Sequence, residues 1–180
     1  MQTARKLTPT EMTTSITPAF IDFEASSLDL IASYPIEVGL CLTDGSIHSW
    51  LIHPHVLWLD WSESAQQIHG ITRETLEKEG VQVRQVAHHL NELLDGQLVF
   101  CDAWTFDSFW LHRLYRTANM VPSFQLESVS MLLTPEQVEH WAPTRQQVIA
   151  ELGVPVHRAA NDARILQATW QKVMAIQTIS

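Results

Sequence analysis

Phe20-Ile21-Asp22-Phe23-Glu24-Ala25-Ser26-Ser27-Leu28 is an apolar, β-favouring run with two carboxylates set into it. Alternate side chains of a strand leave the same face, so Asp22 and Glu24 stand side by side on one side of a sheet. Carboxylates so placed repel, and they cost stability unless a cation lies between them. A half-exposed strand with one solvated face would also alternate in this way. The company of Phe20, Ile21 and Phe23 instead reads as a central strand, where bare charge is not expected.

The segments that follow build a sheet around that strand. Ile36–Leu42 and Ile47–Ile52 are strands joined by Thr43-Asp44-Gly45-Ser46, whose Asp-Gly pair signals a hairpin. The first three strands therefore form an antiparallel meander. Trp61–Gly70 reads as a short helix ended by glycine, and Thr72 caps the next turn. Val83, Val86, Leu90 and Leu94 give Val81–Leu94 a helical period that Asp95-Gly96 stops. Gln97–Asp102 is a short strand and Ser108–Ala118 a helix ending before Val121-Pro122. Pro143-Thr144 opens a helix through Leu152, with Gly153 at its cap, and Ala159–Ile176 is a long amphipathic helix. The order predicts an α/β domain with a mixed central sheet. Residues 1–17 read as a flexible leader and 18–180 as a single domain.

At 180 residues, 46% hydrophobic and 17% charged, the chain has the composition of a globular domain with a proper core. No apolar run approaches the roughly 20 residues that cross a bilayer. Arg5 and Lys6 are not followed by an apolar core, so no secretory signal and no membrane partner are expected. Cys41 and Cys101 lie in apolar strand-like runs and read as buried thiols of a cytoplasmic protein. The net charge of -9, with eleven dispersed Lys and Arg, argues against gripping a long duplex through many phosphates. Two bound divalent cations would supply about +4 locally, which suits a small footprint on the end of a single strand.

Two further contexts carry chemistry. Asp107 follows the strand ending near Cys101, at the start of a helix with Phe109, Trp110 and Leu114. It is either that helix's N-cap or a ligand, and Phe106 and Phe109 favour it over Asp102 by fixing the backbone around it. His157 and Asp162 span a loop-to-helix junction, with small Ala159, Ala160 and Ala163 allowing close packing. An acid one turn into the helix suits His157 to a general base beside a shared metal. Four carboxylates and one imidazole are the groups needed to hold two divalent cations, Mg²⁺ or Mn²⁺, and to deprotonate a water. His53, His55, His88 and His89 have no cysteine partner and read as surface residues. Arg158 and Arg164 read as solvated, or as phosphate contacts.

Together the three contexts resemble the DEDDh 3′→5′ exonucleases of the DnaQ-like superfamily. Asp22-Phe23-Glu24 resembles the family's Asp-x-Glu motif, Phe106-Asp107 its second motif, and His157 with Asp162 its His-x-x-x-x-Asp. Ile68-His69-Gly70-Ile71-Thr72 resembles a segment that many members carry between the first two. The resemblance covers residues 19–176 and implies a ribonuclease H-like fold, a mixed five-stranded sheet flanked by helices. It implies catalytic Asp22, Glu24, Asp107, His157 and Asp162, the four acids holding two cations and His157 taking the water's proton. The partner implied is the 3′ end of single-stranded RNA or DNA, released as nucleoside 5′-monophosphates. Substrate contacts fall on Ala25, Ser26, Leu28 and His69, with Leu28 as an apolar wedge. Trp61 and Trp104 are candidates to stack on bases, with core packing the alternative. Relatives include homodimers, and exposed hydrophobics permit one here. The alternatives are a catalytically silent binding module on the same fold, or a polymerase-associated proofreading exonuclease. Asp102-Ala103-Trp104-Thr105 and Phe124–Leu133 depart from the proofreading members, which puts the substrate pocket in question.

Overall fold

The computed structural model describes residues 16–176, so the expected leader falls outside the described residues except for its last two positions. Ala19–Ala25 forms β1, the middle strand of a five-stranded sheet ordered β3-β2-β1-β4-β5. Its neighbour β2, Pro35–Cys41, runs antiparallel and pairs onward with β3, Ile47–Leu51, through the Asp44-Gly45 turn. On its other side β4, Leu98–Cys101, runs parallel and pairs with a parallel edge strand, β5, Gln125–Ser128. The sheet is mixed, as expected.

Six helices surround it among the described residues. The helices α1, Glu63–His69, and α2, Arg73–Glu79, are capped by the side chains of Ser62 and Thr72. Next come α3, Val83–Leu94, and α4, Trp104–Ala118. A 3₁₀ turn, Val129–Leu132, leads to α5, Pro135–Leu152, and then α6, Ala159–Ala175. The two faces of β1 separate the core in two. Ile21 and Phe23 pack with Val38, Leu40 and the apolar stripes of α3 and α4. Phe20 faces the other way, against Phe100, Leu166 and Trp170.

Two helix starts differ from the sequence reading. Helix α4 begins at Trp104 rather than Ser108, so Asp107 lies inside its first turn and the N-cap is Ala103, with no side-chain bond. Helix α5 begins at Pro135, where Thr134 and Gln137 form a reciprocal capping box, and Pro143 lies within the helix. Pro143 is exposed, so the loss of its N–H is tolerated on the solvated side of a well-capped helix.

Candidate active site

Along β1, Asp22 and Glu24 are the half-buried members of an otherwise buried strand. They extend past the last pairing with β4, Phe20 with Phe100. There the strands diverge and leave a crevice at their C-terminal ends, the usual location of ligands in open α/β sheets. The start of α6 presses on this face. Any Cβ at Gly39, opposite Asp22, would collide with the backbone of Ala159 and Ala160. That close approach brings Asp162, one turn into α6, toward Asp22 and Glu24.

The fourth acid arrives from α4. Asp107 is 1% exposed and, with Asp22, Glu24, His157 and Asp162, lines a cavity of about 240 Å³. The ligand atoms of Glu24, His157 and Asp162 all lie within 4.8 Å of one another. Phe23, Leu28, Asp102, Ala103, Phe106, Trp110, Arg145 and Leu166 complete the walls. All five residues expected to be catalytic converge here.

Burial raises the proton affinity of all four acids, and neighbouring site acids add to it at Asp22 and Glu24. Burial first, then Asp107, Asp162 and Glu24, drives Asp22 well above the ordinary carboxylate range. Burial, with the nearby Asp162 and Glu37, pushes Glu24 up to about 8. Burial lifts Asp107 to about 7 against hydrogen bonds from the Cys101 thiol and backbone amides. Asp162 is raised by burial and held back by the His157 backbone amide. Asp107 Oδ2 and Asp162 Oδ1 are buried with no hydrogen-bond partner. Repelling acids with unmatched buried oxygens fit hard divalent cations, whose coordination would satisfy those oxygens and relieve the repulsion.

His157 is exposed and has φ +62°, the left-handed region that few non-glycine residues occupy. Its backbone N–H donates to Asp162 Oδ2 at 3.0 Å, which anchors the strained turn and orients the acid.

A neighbouring pair was missed from the sequence. Glu37 sits directly across from Glu24, a like-charge opposition that should destabilise the sheet. The Arg158 guanidinium clamps Glu37 with bonds of 2.7 Å and 3.1 Å, and the Ala159 N–H adds one of 3.0 Å. Arg158, whose side chain is 46% exposed, is thus committed to pairing Glu37. It neutralises one glutamate and leaves the other facing the cavity. Arg145, on α5, is a second omission. Its helix was read from Pro143, and nothing local pointed it at the acids.

The expected substrate contacts divide. Leu28 is 71% exposed and lines the cavity, in position for a wedge. Ala25 is buried. Ser26 is fully buried, its hydroxyl donating to Asp60 at 2.7 Å and its backbone bonded to Tyr34 and Ser62. His69 is also buried and lines a separate polar cavity with Glu37 and Arg158. Trp61 donates to Gln66 and packs edge-on against His69. Trp104 is half-exposed and lines a larger apolar groove of about 500 Å³ along α4, outside the lining of the acid cavity. His88 and His89 lie on α3, with ring nitrogens 3.2 Å and 3.5 Å from a Glu92 carboxylate oxygen.

The family model RNase_T, described as Exonuclease, matches residues 19–168. The chain belongs to this exonuclease family. The match agrees with the family that the three motifs resemble. Escherichia coli exonuclease I, in a zinc-bound complex with single-stranded DNA, shares the fold at a TM-score of 0.71 and 15% identity, over 88% of this chain and 40% of that one. Exonuclease I from Methylocaldum szegediense gives 0.70 at 16% identity, over 88% and 40%. The E. coli enzyme with a dA16 oligonucleotide gives 0.69 at 13% identity, over 88% and 41%. This family member thus spans about 40% of the length of those chains. No curated protein matches it in sequence. Among the described residues, no helix is long and apolar enough to cross a membrane.

Proposed function

We propose that the chain is a metal-dependent 3′→5′ exonuclease that releases nucleoside 5′-monophosphates from the 3′ end of single-stranded RNA or DNA. One observation carries this reading: four acids of raised proton affinity meet at one crevice, two of them with an unmatched buried oxygen, and an imidazole stands beside them. Family membership supports exonuclease chemistry, and the oligonucleotides bound to E. coli exonuclease I support a single-stranded substrate.

Asp22, Glu24 and Asp162 would hold one divalent cation, Mg²⁺ or Mn²⁺, and Asp22 with Asp107 a second. Such ions supply Lewis-acid activation of water and neutralise charge at the entering and leaving oxygens. His157 accepts the attacking water's proton at a ring nitrogen, which its exposed position allows. The water oxygen bonds to phosphorus, the P–O3′ bond breaks, and the 3′ oxygen takes a proton from solvent to leave as a hydroxyl on the shortened strand. Asp162, held at His157 N–H, keeps the base and the cation site in register. Leu28 stands at the cavity wall to splay the terminal base from its neighbour. The two buried, unpaired cysteines support a cytoplasmic setting.

The test is a time course on 5′-labelled single-stranded RNA and DNA of matched sequence, with Mg²⁺ or Mn²⁺, beside Asp22→Ala. A one-nucleotide ladder that the substitution abolishes is the expected result. Intact strands with both metals would overturn the reading and favour a silent binding module.

A further inference from the structure

Among the residues lining the acid cavity, Arg145 is the one Lys or Arg. Its Nε is buried without a hydrogen-bond partner, and the nearest carboxylate oxygen, Asp102 Oδ2, is 4.0 Å away. Four other arginines are tied down, although Arg113 Nε is, like that of Arg145, buried without a partner. Arg73 bonds Tyr34 and the Trp58 carbonyl, Arg158 clamps Glu37, and Arg84 and Arg113 bond the carbonyls of Ala118 and Ile31. Arg145 is held at the cavity by a rigid support, since Thr144 and Val148 on the same helix are buried. The buried Nε lacks a partner that an incoming anion would supply, and about 30% of the side chain stays exposed for one to approach.

Charge in the cavity says which anion. Arg145 lies close enough to Asp22 and Asp162 to favour their ionised forms. Two bound divalent cations would bring about +4, and with Arg145 they balance the five carboxylates that line the cavity, Asp102 included, so Arg145 keeps the cavity from repelling a phosphodiester monoanion. Arginine's planar fork also matches two phosphate oxygens at once.

We propose that Arg145 is a catalytic residue that grips non-bridging oxygens of the scissile phosphate. The identity of that phosphate rests on the exonuclease reading above. The binding of a phosphate monoester in this cavity does not. As charge builds on these oxygens during attack, a fixed guanidinium binds the transition state more tightly than the ground state.

The test uses full-length protein with Mn²⁺ and the variants Arg145→Ala, Arg145→Gln and Arg145→Lys. Calorimetry measures thymidine 5′-monophosphate, thymidine, and Mn²⁺ without nucleotide. Hydrolysis of the p-nitrophenyl ester of thymidine 5′-phosphate gives kcat and KM. The alanine and glutamine variants should lose at least about tenfold in monophosphate affinity while thymidine and Mn²⁺ affinities hold. Their kcat should fall about 100-fold, the loss typical of one transition-state donor, with lysine recovering part. Monophosphate affinity unchanged in Arg145→Gln, or no monophosphate binding by the wild type, would overturn the proposal. So would an equal loss of Mn²⁺ affinity, which would make Arg145 an organiser of the acids. If the wild type binds the monophosphate through Arg145 but hydrolyses no strand, the exonuclease reading fails and this one stands. If strands are trimmed equally by wild type and Arg145→Gln, the reverse holds.

Discussion

Replacing Glu24 with glutamine should stabilise the metal-free protein while abolishing its activity. Glutamine resembles the protonated carboxyl that the crowded cavity already favours. The folded site raises Glu24 from 4.5 to about 8. A group so raised contributes stability that is fully present below its unfolded value and is lost as pH rises through its folded value. Between 4.5 and pH 7, at about 1.4 kcal/mol per pH unit, the wild type loses about 3 kcal/mol that Glu24→Gln keeps. Glu24 is partly accessible and Arg158 lies nearby, so solvent screening reduces this to about 2 kcal/mol. For a domain of this size that is about 4–8 °C in melting temperature. The assay is thermal unfolding in EDTA at pH 4.5 and 7.5. Wild type and variant should nearly coincide at the lower pH and separate at the higher, with the variant melting later. Adding Mn²⁺ at 100 times its Kd should return about 2.7 kcal/mol to the wild type and much less to the variant. A variant no more stable than wild type at pH 7.5 in EDTA would refute the claim that these acids are held apart from their cation at a cost.

Cation binding should release protons, because Glu24 and Asp107 sit near 8 and 7 without metal; Mn²⁺ affinity should rise between pH 6 and 8, and its calorimetric heat should depend on the buffer's ionisation enthalpy. Heats independent of buffer at pH 6.5 would contradict this. His157→Gly should lower kcat by about 10²–10⁴ yet leave melting unchanged or higher, since glycine relieves the positive φ and keeps the N–H to Asp162; a large fall in stability would show the ring itself to be structural. Gly39→Ala should cost more than about 4 kcal/mol, because its methyl meets the α6 backbone and not a movable side chain, and melting within about 2 °C of wild type would disprove that close approach.

The family, the central strand and the five residues that the cavity gathers were legible in the sequence because each depends on neighbours a few positions away. Alternation sets Asp22 and Glu24 on one face of β1, Asp44-Gly45 turns the hairpin, and the spacing of His157 and Asp162 is that of a helix start. The edge strand β5 is short, half-exposed and recognisable only by its pairing with β4. The true starts of α4 and α5 were obscured by Asp107, which resembles a cap, and by Pro143, which resembles a first helical residue. The Glu37–Arg158 clamp joins residues far apart in the chain, so nothing local announces it. Arg145 is similar: its place among the acids follows from how α5 lies along α6. Backbone preferences and periodicity act over one or two turns, and they determined which elements exist and which residue types they carry. Which charges are paired, which remain unpaired and which cavity they enter depended on long-range packing, where burial and the fields of distant groups outweigh any local preference.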